Sequence, residues 1–555
     1  MTTQGVNEHN ALDSSHVVAV IGAGAMGAGI AQVAAQSGHK VLLFDQNEHA
    51  LFKAKEGIST QLNRRVLKGK LSQEAYDACL ENIIPTYSLN DLAVCDLVVE
   101  AIVEKLEVKQ SVFVALESIC KDTCLFTSNT SSISITAIAS KLRKPERFFG
   151  LHFFNPAPVM ALVEVISGLA SDSRFAHLLY QTCIRWGKKP VYAKSTPGFI
   201  VNRVARPFYA EALRVLEEQA ASIEDIDTLI RESGQFRMGP FELMDLIGHD
   251  VNYAVTQSVF NGYFQDPRFK PSLAQKALLE AGYLGRKSGR GFYQYDGHGM
   301  KLSSASIDAA IRKETQLSVS KETLNGVEKD KLSKRLEVVA FEQNSPGLSK
   351  HNEQIKGDQK SPIDALINRF IDANFYIDTQ QKGKPITLVS FKFGNANIAL
   401  TDGRSATVRS VEDQLDNLIL FDLAFDYLSV HKLAMSVSDG CTLDAIKDAQ
   451  TLFSLINIEL IKLDDIAGLI VMRTVAMLTN EAADTCLQGV ASAKDIDIAM
   501  CAGVNYPEGP LSWGQRVGIQ YLHRVLINLQ ANYGEERYRP SAFLRRKQYS
   551  NEKLY

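Results

Sequence analysis

Through the first part of the chain, short unbroken apolar runs alternate with longer stretches in which apolar residues return every three or four positions. The runs Val17–Ile21, Lys40–Phe44, Leu97–Ala101 and Leu125–Thr127 have the length and continuous apolar character of strands buried on both faces of a parallel sheet. Residues 48–82 between them carry helical periodicity with many Lys, Glu and Gln. Strands alternating with helices predict βαβ units and an α/β doubly wound parallel sheet. From Pro197 onward the texture changes to amphipathic stretches, Val201–Glu218 and Ile223–Ser233, which predict a separate all-α domain closing near residues 285–293. Residues 298–385 are polar, with Ser, Lys, Asn and Gln throughout, and predict a linker or a lightly packed insertion.

The helical pattern occurs twice. Sliding the chain by 270 aligns residues 198–248 on 468–518 without a gap, with 14 identities in 51 positions, against roughly three expected from average composition. Gly198–Arg203 falls on Gly468–Arg473, Glu211 on Glu481, Asp225-Ile226-Asp227 on Asp495-Ile496-Asp497, and Gly239-Pro240 on Gly509-Pro510. The expected layout is therefore a sheet domain over 1–193, a helical domain over 194–297 and the polar segment over 298–385. A degenerate remnant of the first domain follows over 386–463, then a second helical domain over 464–555.

The length of 555 residues allows two to four domains. A formal net charge of −3, from 60 basic and 63 acidic residues, gives no reason to expect nucleic acid or an anionic membrane as the main partner, since both want a basic face, while local basic clusters stay open. Eight scattered cysteines include one close pair, Cys120 and Cys124, with no second pair to complete a zinc site. No metal is expected, and such sparse cysteine use fits a reducing compartment. The most membrane-like stretch, Val17–Ala31, is too short to span a bilayer. No charged segment leads into an apolar core at the start. The expectation is a cytoplasmic protein.

Gly22-Ala23-Gly24-Ala25-Met26-Gly27 follows a predicted strand and opens a helix. In a Rossmann-type unit the first glycine allows the tight turn, the second admits a pyrophosphate to the backbone, and the third lets helix and strand pack closely. The helix amino terminus then offers free N–H groups to the phosphates. Asp45, 23 residues past Gly22 at the end of the next strand, is placed to hold ribose hydroxyls and to repel the extra phosphate of NADP. The expected cofactor is NAD.

Two further clusters carry chemistry. Ser128-Asn129-Thr130-Ser131-Ser132 follows a strand near the expected cofactor crevice; helix capping accounts for some of these residues, but five small polar residues exceed what a cap needs. His152-Phe153-Phe154-Asn155-Pro156-Ala157-Pro158 is followed by Leu162-Val163-Glu164-Val165. The prolines bend the chain so that His152 and Glu164 can lie side by side. Removing hydride from an alcohol carbon requires loss of the hydroxyl proton, which a histidine can accept. A carboxylate on an apolar strand needs a partner.

Together with Glu100-Ala101-Ile102-Val103-Glu104 and Pro197–Arg203, these motifs resemble the 3-hydroxyacyl-CoA dehydrogenase family, in the family's order, over residues 16–295. The resemblance implies that His152 is the general base, Glu164 the carboxylate that orients it, and Ser131 and Asn202 polar groups around the substrate 3-oxygen. It places Asp45 on the adenosine ribose and Glu104, Lys109, Ser131, Asn155 and Lys287 around the rest of the cofactor. Lys68 matches a coenzyme A contact through an ungapped helix alignment, although Arg64, Arg65 and Lys70 also make it read as part of a solvated basic face.

At the offset of 270 the second copy has Asp422 for His152, Ala434 for Glu164, Met472 for Asn202 and Thr401 for Ser131, and no glycine-rich fingerprint precedes it. It reads as structural. Family members pair their helical domains as dimers, which implies an intrachain pseudo-dimer here; further homo-oligomerisation stays open. The expected activity is NAD-dependent oxidation of (S)-3-hydroxyacyl-CoA to 3-ketoacyl-CoA, with an acyl-CoA as the small-molecule partner. Two rivals are a β-hydroxyacid dehydrogenase acting on free acids and a non-catalytic NAD-binding sensor. The first relies on a lysine where this chain offers His152 and Glu164, and the second leaves the intact His152, Glu164 and Asn202 unexplained.

Overall fold

The computed structural model describes residues 11–304, 335–340, 364–373, 376–379 and 389–555. Two compact units result: residues up to Val204 with Thr485–Gly509 and Tyr555, and Ala205–Asp484 with Pro510–Leu554.

The first unit is built on eight strands: β1 (Val18–Ile21), β2 (Val41–Phe44), β3 (Ile83–Thr86), β4 (Leu97–Glu100), β5 (Leu125–Ser128), β6 (Phe148–Phe153), β7 (Leu162–Ser167) and β8 (Lys189–Lys194). Their order is β3-β2-β1-β4-β5-β6-β7-β8. β3 to β6 run parallel, β7 pairs antiparallel with β6, and β8 runs parallel to β7. The four expected apolar runs form β1, β2, β4 and β5, each buried throughout, as sheet strands covered on both faces must be. The helical periodicity of residues 48–82 forms two helices, Glu48–Leu67 and Gln73–Asn82. Gly69 at φ +64 supplies the left-handed stop, and the Ser72 side chain caps the second helix by accepting from Ala75 N.

A helix of the second copy, Ala493–Val504, belongs to this first unit and packs on β7 and β8. Lys194 N donates to Val490 O at 2.9 Å. A Cβ on Gly503 would come 2.5 Å from Leu162 Cδ2, so the helix packs closely enough on the strand that a larger residue would displace the Leu162 side chain.

The second unit holds the first-copy helices Arg206–Glu217, Ile223–Glu232, Pro240–Ile247, His249–Gly262 and Leu273–Glu280. A hairpin, β9 (Tyr293–Tyr295) and β10 (Lys301–Ser304), follows them. Asp227 ties this domain together: it accepts from Phe241 N and Glu242 N, each at 3.0 Å, and from Tyr293 Oη at 2.8 Å. The same unit contains a second sheet of β11 (Arg335–Ala340), β12 (Tyr376–Thr379), β13 (Val389–Phe393), β14 (Ala396–Leu400), β15 (Leu418–Phe421), β16 (Lys432–Val437) and β17 (Glu459–Lys462), in the order β12-β11-β13-β14-β15-β16-β17. Much of the expected linker 298–385 lies outside the described residues; the described parts carry β10, β11, a helix Asp364–Asp372 and β12.

The duplication is legible in the strand directions. β14 to β17 pair parallel, antiparallel, parallel, repeating β5 to β8. Beyond β14 the pattern ends: β13 and β11 are antiparallel additions, so among the described residues nothing stands for β1–β4. The helix Ile223–Glu232 packs on β16, with Ser233 Oγ donating to Lys432 O at 2.5 Å and Phe425 N donating to Ser233 O at 2.7 Å. Each sheet is thus covered by the corresponding helix of the other copy.

Candidate active site

The carboxyl ends of the parallel strands carry the chemistry, as expected for an open α/β sheet. After β1, Gly22 has φ +102, and an added Cβ would lie 2.5 Å from Ala101 O; one on Gly27 would meet Gly22 O at 1.8 Å. One on Gly24 has nothing within 4 Å. The first and third glycines are therefore fixed by packing, while the second faces open space, where a pyrophosphate can reach the backbone. The helix Ala25–Gln36 begins at Gly24 with no side-chain cap and no acidic residue in its first turn, which leaves its N–H groups and positive dipole end for phosphates. Asp45 sits just past β2 and braces the loop, accepting from Ala23 N and Asn47 N, each at 2.8 Å. These features fit a dinucleotide.

β4 and β5 end in a buried polar relay. Glu100 is fully buried; it accepts from Lys109 Nζ and Ile102 N at 2.7 Å and from Ser128 Oγ at 2.6 Å. Lys109, also buried, reaches Glu104 at 3.2 Å. Glu104 Oε1 in turn accepts from Thr130 Oγ1, Ser131 N, Ser132 N and Ser132 Oγ at 2.6–3.2 Å. Burial pushes the Glu104 carboxyl up, but the Lys109 charge and these hydrogen bonds outweigh it and hold the carboxyl below its ordinary range. Lys109 thus positions Glu104, and Glu104 shapes the serine-rich loop. Glu100 is not among the site residues expected from the sequence; the signal that points to it is a carboxylate closing an apolar strand, the same signal that marks Glu164.

On β6 and β7 the antiparallel register pairs His152 directly with Glu164. His152 Nδ1 lies 2.6 Å from Glu164 Oε2, with the histidine 6% exposed and the glutamate 0%. The other carboxylate oxygen, Oε1, accepts from Ile200 N at 3.0 Å and Val201 N at 3.1 Å. A carboxylate only accepts, so Nδ1 carries the proton and Nε2 offers its lone pair. Phe154 and Phe199 flank the imidazole, with centroids 4.6 and 5.8 Å away. Asn129 Oδ1 accepts from Phe153 N at 2.8 Å, and buried Lys188 donates to Ala157 O and Met160 O. These contacts tie the loop after β6 to the sheet.

Asn202 follows Val201 in the short helix that Glu164 anchors, and is half-buried. Ser131 is half-buried and Asn155 exposed. Lys68 is exposed at the end of its helix. A concavity along the same helix is lined by Lys53, Glu56, Gly57, Thr60, Gln61 and Arg64. Lys287 belongs to the second unit and pairs with Asp250.

The second copy keeps the scaffold and loses the chemistry. Asp422, in the place of His152, accepts from Ile470 N at 2.9 Å, Val471 N at 2.7 Å and Met472 N at 2.9 Å. It does for this copy's helix what Glu164 Oε1 does for Ile200 and Val201. Burial pushes its carboxyl up to about 6, against the pull of those N–H groups. One carboxylate does the anchoring, and no imidazole remains.

A dinucleotide loop and a buried histidine–carboxylate pair at the same edge of one sheet are the parts of a nicotinamide-dependent alcohol dehydrogenase. The chain belongs to the 3-hydroxyacyl-CoA dehydrogenase family: the family's NAD binding domain matches residues 17–196, and its C-terminal domain matches twice, over 198–295 and 468–553. The reduced Rossmann-fold domain of 3-hydroxybutyryl-CoA dehydrogenase matches 398–466. The 3-hydroxyadipyl-CoA dehydrogenase of Escherichia coli (strain K12) is 42% identical over 530 residues, covering 96% of this chain and 97% of that protein. The mitochondrial hydroxyacyl-coenzyme A dehydrogenase of Sus scrofa is 44% identical over 285 residues, 50% of this chain and 90% of that protein. Among solved structures, a 3-hydroxybutyryl-CoA dehydrogenase from Escherichia coli K12 superposes with TM-score 0.78 at 40% identity, covering 96% of this chain and 98% of that one. No described helix is long and apolar enough to cross a membrane.

Proposed function

We propose that this protein oxidises (S)-3-hydroxyacyl-CoA to 3-ketoacyl-CoA with NAD, acting on short acyl chains such as 3-hydroxybutyryl or 3-hydroxyadipyl in fatty-acid or aromatic-acid catabolism in the cytoplasm. The observation that carries this reading is the buried His152–Glu164 pair at 2.6 Å, whose geometry leaves Nε2 as the acceptor. Bound NAD would supply the hydride acceptor for the 3-carbon. His152 Nε2 takes the proton of the 3-hydroxyl, and Glu164 stabilises the imidazolium that forms. Ser131 and Asn202 hold the 3-oxygen as it becomes a carbonyl. Asp45 selects NAD over NADP, since Gln46 and Asn47 follow it where an arginine would be needed for a 2′-phosphate. Glu104, Asn155 and Lys287 complete the cofactor site, with Lys109 acting through Glu104. Lys68 and the basic face around Arg64 bind the phosphates of coenzyme A.

On the same reading, residues 386–555 serve as the built-in partner of an intrachain pseudo-dimer. The observation behind this is the exchange by which helices Ala493–Val504 and Ile223–Glu232 each cover the other copy's sheet. The test is NADH oxidation with acetoacetyl-CoA, 3-ketoadipyl-CoA and free acetoacetate. Turnover of the thioesters, absent with the free acid and weak with NADPH, is expected. Turnover of free acetoacetate alone favours the hydroxyacid rival; none with any thioester favours the sensor.

A further inference from the structure

The turn after β6 and the turn after β15 share one frame. Met160 N donates to Pro156 O at 3.0 Å and Val430 N to Asp426 O at 3.2 Å; Lys189 N donates to Ala161 O and Glu459 N to His431 O, both at 2.8 Å. Gly187 and Asn457 have the same left-handed backbone, with φ 70 and 57. All of these residues correspond at the offset of 270. In the first copy the Lys188 ammonium, 8% exposed, donates to Ala157 O at 2.6 Å and to Met160 O at 2.9 Å. The second copy has Ile458 at that position, 1% exposed. There Arg369, from the helix Asp364–Asp372, donates through Nη1 to Tyr427 O at 3.1 Å and to Val430 O at 2.7 Å. Tyr427 and Val430 are the counterparts of Ala157 and Met160. The same two carbonyls are therefore clamped by a cation in both copies, and the cation comes from different places.

Two carbonyl groups that converge on one buried point need a donor. Meeting that need with an ammonium partnered by carbonyls rather than by a carboxylate is costly, and burial pushes the Lys188 ammonium down from its ordinary value. What differs between the copies is the other side of the turn. Ala157 and Pro158 lie against the dinucleotide helix Ala25–Gln36: a Cβ on Gly29 would come 3.0 Å from Pro158 Cδ and 3.1 Å from Ala157 Cβ. The second copy carries the larger Tyr427 and Leu428 there, and no glycine fingerprint precedes it. Trp186, two residues before Lys188, stacks on Phe153, the neighbour of His152 on β6. The segment that carries Lys188 thus touches both the strand of the base and the turn that meets the dinucleotide helix.

We propose that Lys188 is a positioning residue for the reaction: its clamp on Ala157 O and Met160 O seats the turn against Gly29 and so fixes the dinucleotide helix relative to the strand of His152. The inference rests on the reading above, with NAD as the cofactor. Asn155, at the head of the same turn, is held with it. Lys188 acts through the turn and touches neither cofactor nor substrate.

The experiment is calorimetric titration of the full chain with NADH, beside steady-state turnover of acetoacetyl-CoA and thermal melts. Lys188→Met should raise the NADH Kd roughly ten-fold and leave the KM for acetoacetyl-CoA near wild type, and Lys188→Arg should recover most of the affinity. Arg369→Met removes the equivalent clamp from the second copy; it should lower the melting temperature and leave NADH Kd and turnover unchanged. A folded Lys188→Met with wild-type NADH Kd overturns the proposal. An equal rise in NADH Kd for Arg369→Met overturns it too, since both clamps would then be general supports. Should Lys188→Met fold poorly, Gly29→Ala decides: it presses on the turn by a few tenths of an ångström and should weaken NADH with Lys188 in place, so unchanged affinity there is equally fatal. Failure of the wild-type chain to bind NADH would overturn the underlying reading as well.

Discussion

Replacing Glu164 by glutamine should disable the base through its tautomer, without removing the histidine. Glu164 uses one oxygen on His152 Nδ1 and the other on the backbone N–H groups of Ile200 and Val201. An amide has one acceptor end and one donor end. Turning its oxygen to His152 would aim its NH₂ at two buried N–H donors, and leaving them unsatisfied costs roughly 1–3 kcal/mol. The amide oxygen therefore stays on Ile200 and Val201, the NH₂ faces Nδ1, and the proton moves to Nε2, where the acceptor must be. Loss of the charge-assisted bond to the imidazolium removes about 1.5–3 kcal/mol more. Together these terms predict a fall in kcat of roughly 10²–10⁴-fold. NADH affinity should hardly change, because Glu164 is not part of the dinucleotide loop. The assay is steady-state NADH oxidation with acetoacetyl-CoA across pH, beside NADH titration. A variant that keeps near-normal kcat, or that loses NADH binding in proportion to turnover, would refute this account of the pair.

Gly24→Ala should fold normally, since the added carbon meets nothing within 4 Å, yet raise the NADH Kd roughly ten-fold by blocking the pyrophosphate. Gly27→Ala, with its carbon 1.8 Å from Gly22 O, should lower the melting temperature as well; normal NADH binding by Gly24→Ala would contradict the loop's role. Burial pushes the Asp227 carboxyl up to about 7 from an ordinary 3.8, so the folded chain holds that proton more tightly than the unfolded one. Its contribution, on the order of 4 kcal/mol, is complete below about pH 4 and is lost as pH rises through 7. Melts of Asp227→Asn should accordingly fall less steeply than wild type between those pH values, and identical slopes would count against the burial. Deleting residues 386–555 removes the helix Ala493–Val504 from β7 and β8 and should give an aggregating or newly dimeric product; a monomeric, fully active truncation by sizing chromatography would contradict the pseudo-dimer.

Parts whose signals are local are readable along the chain. Short apolar runs and a glycine fingerprint fixed the doubly wound sheet and its first crossover, because strand burial and turn geometry act over a few residues. The repeat at 270 located the second helical domain, and the turns at Gly198-Phe199 and Gly468-Leu469 keep the same left-handed backbone, with φ 75 and 48 against 76 and 51. His152 and Glu164 could be named from twelve residues of separation, since two prolines and an apolar strand leave few ways to bring them together. Glu100 and Lys109 became intelligible only with the parallel pairing of β4 and β5, which sets Ser128 beside Glu100. That Asp422 inherits the anchoring oxygen of Glu164 rather than the chemistry of His152 depends on where helix N–H groups from residues 470–472 converge, and no spacing encodes that. The exchange of helices between copies also belongs to the tertiary structure alone. Packing across hundreds of residues chooses which charges meet, and a substitution such as Ile458 against Lys188 reads as an ordinary surface change until its neighbours are known.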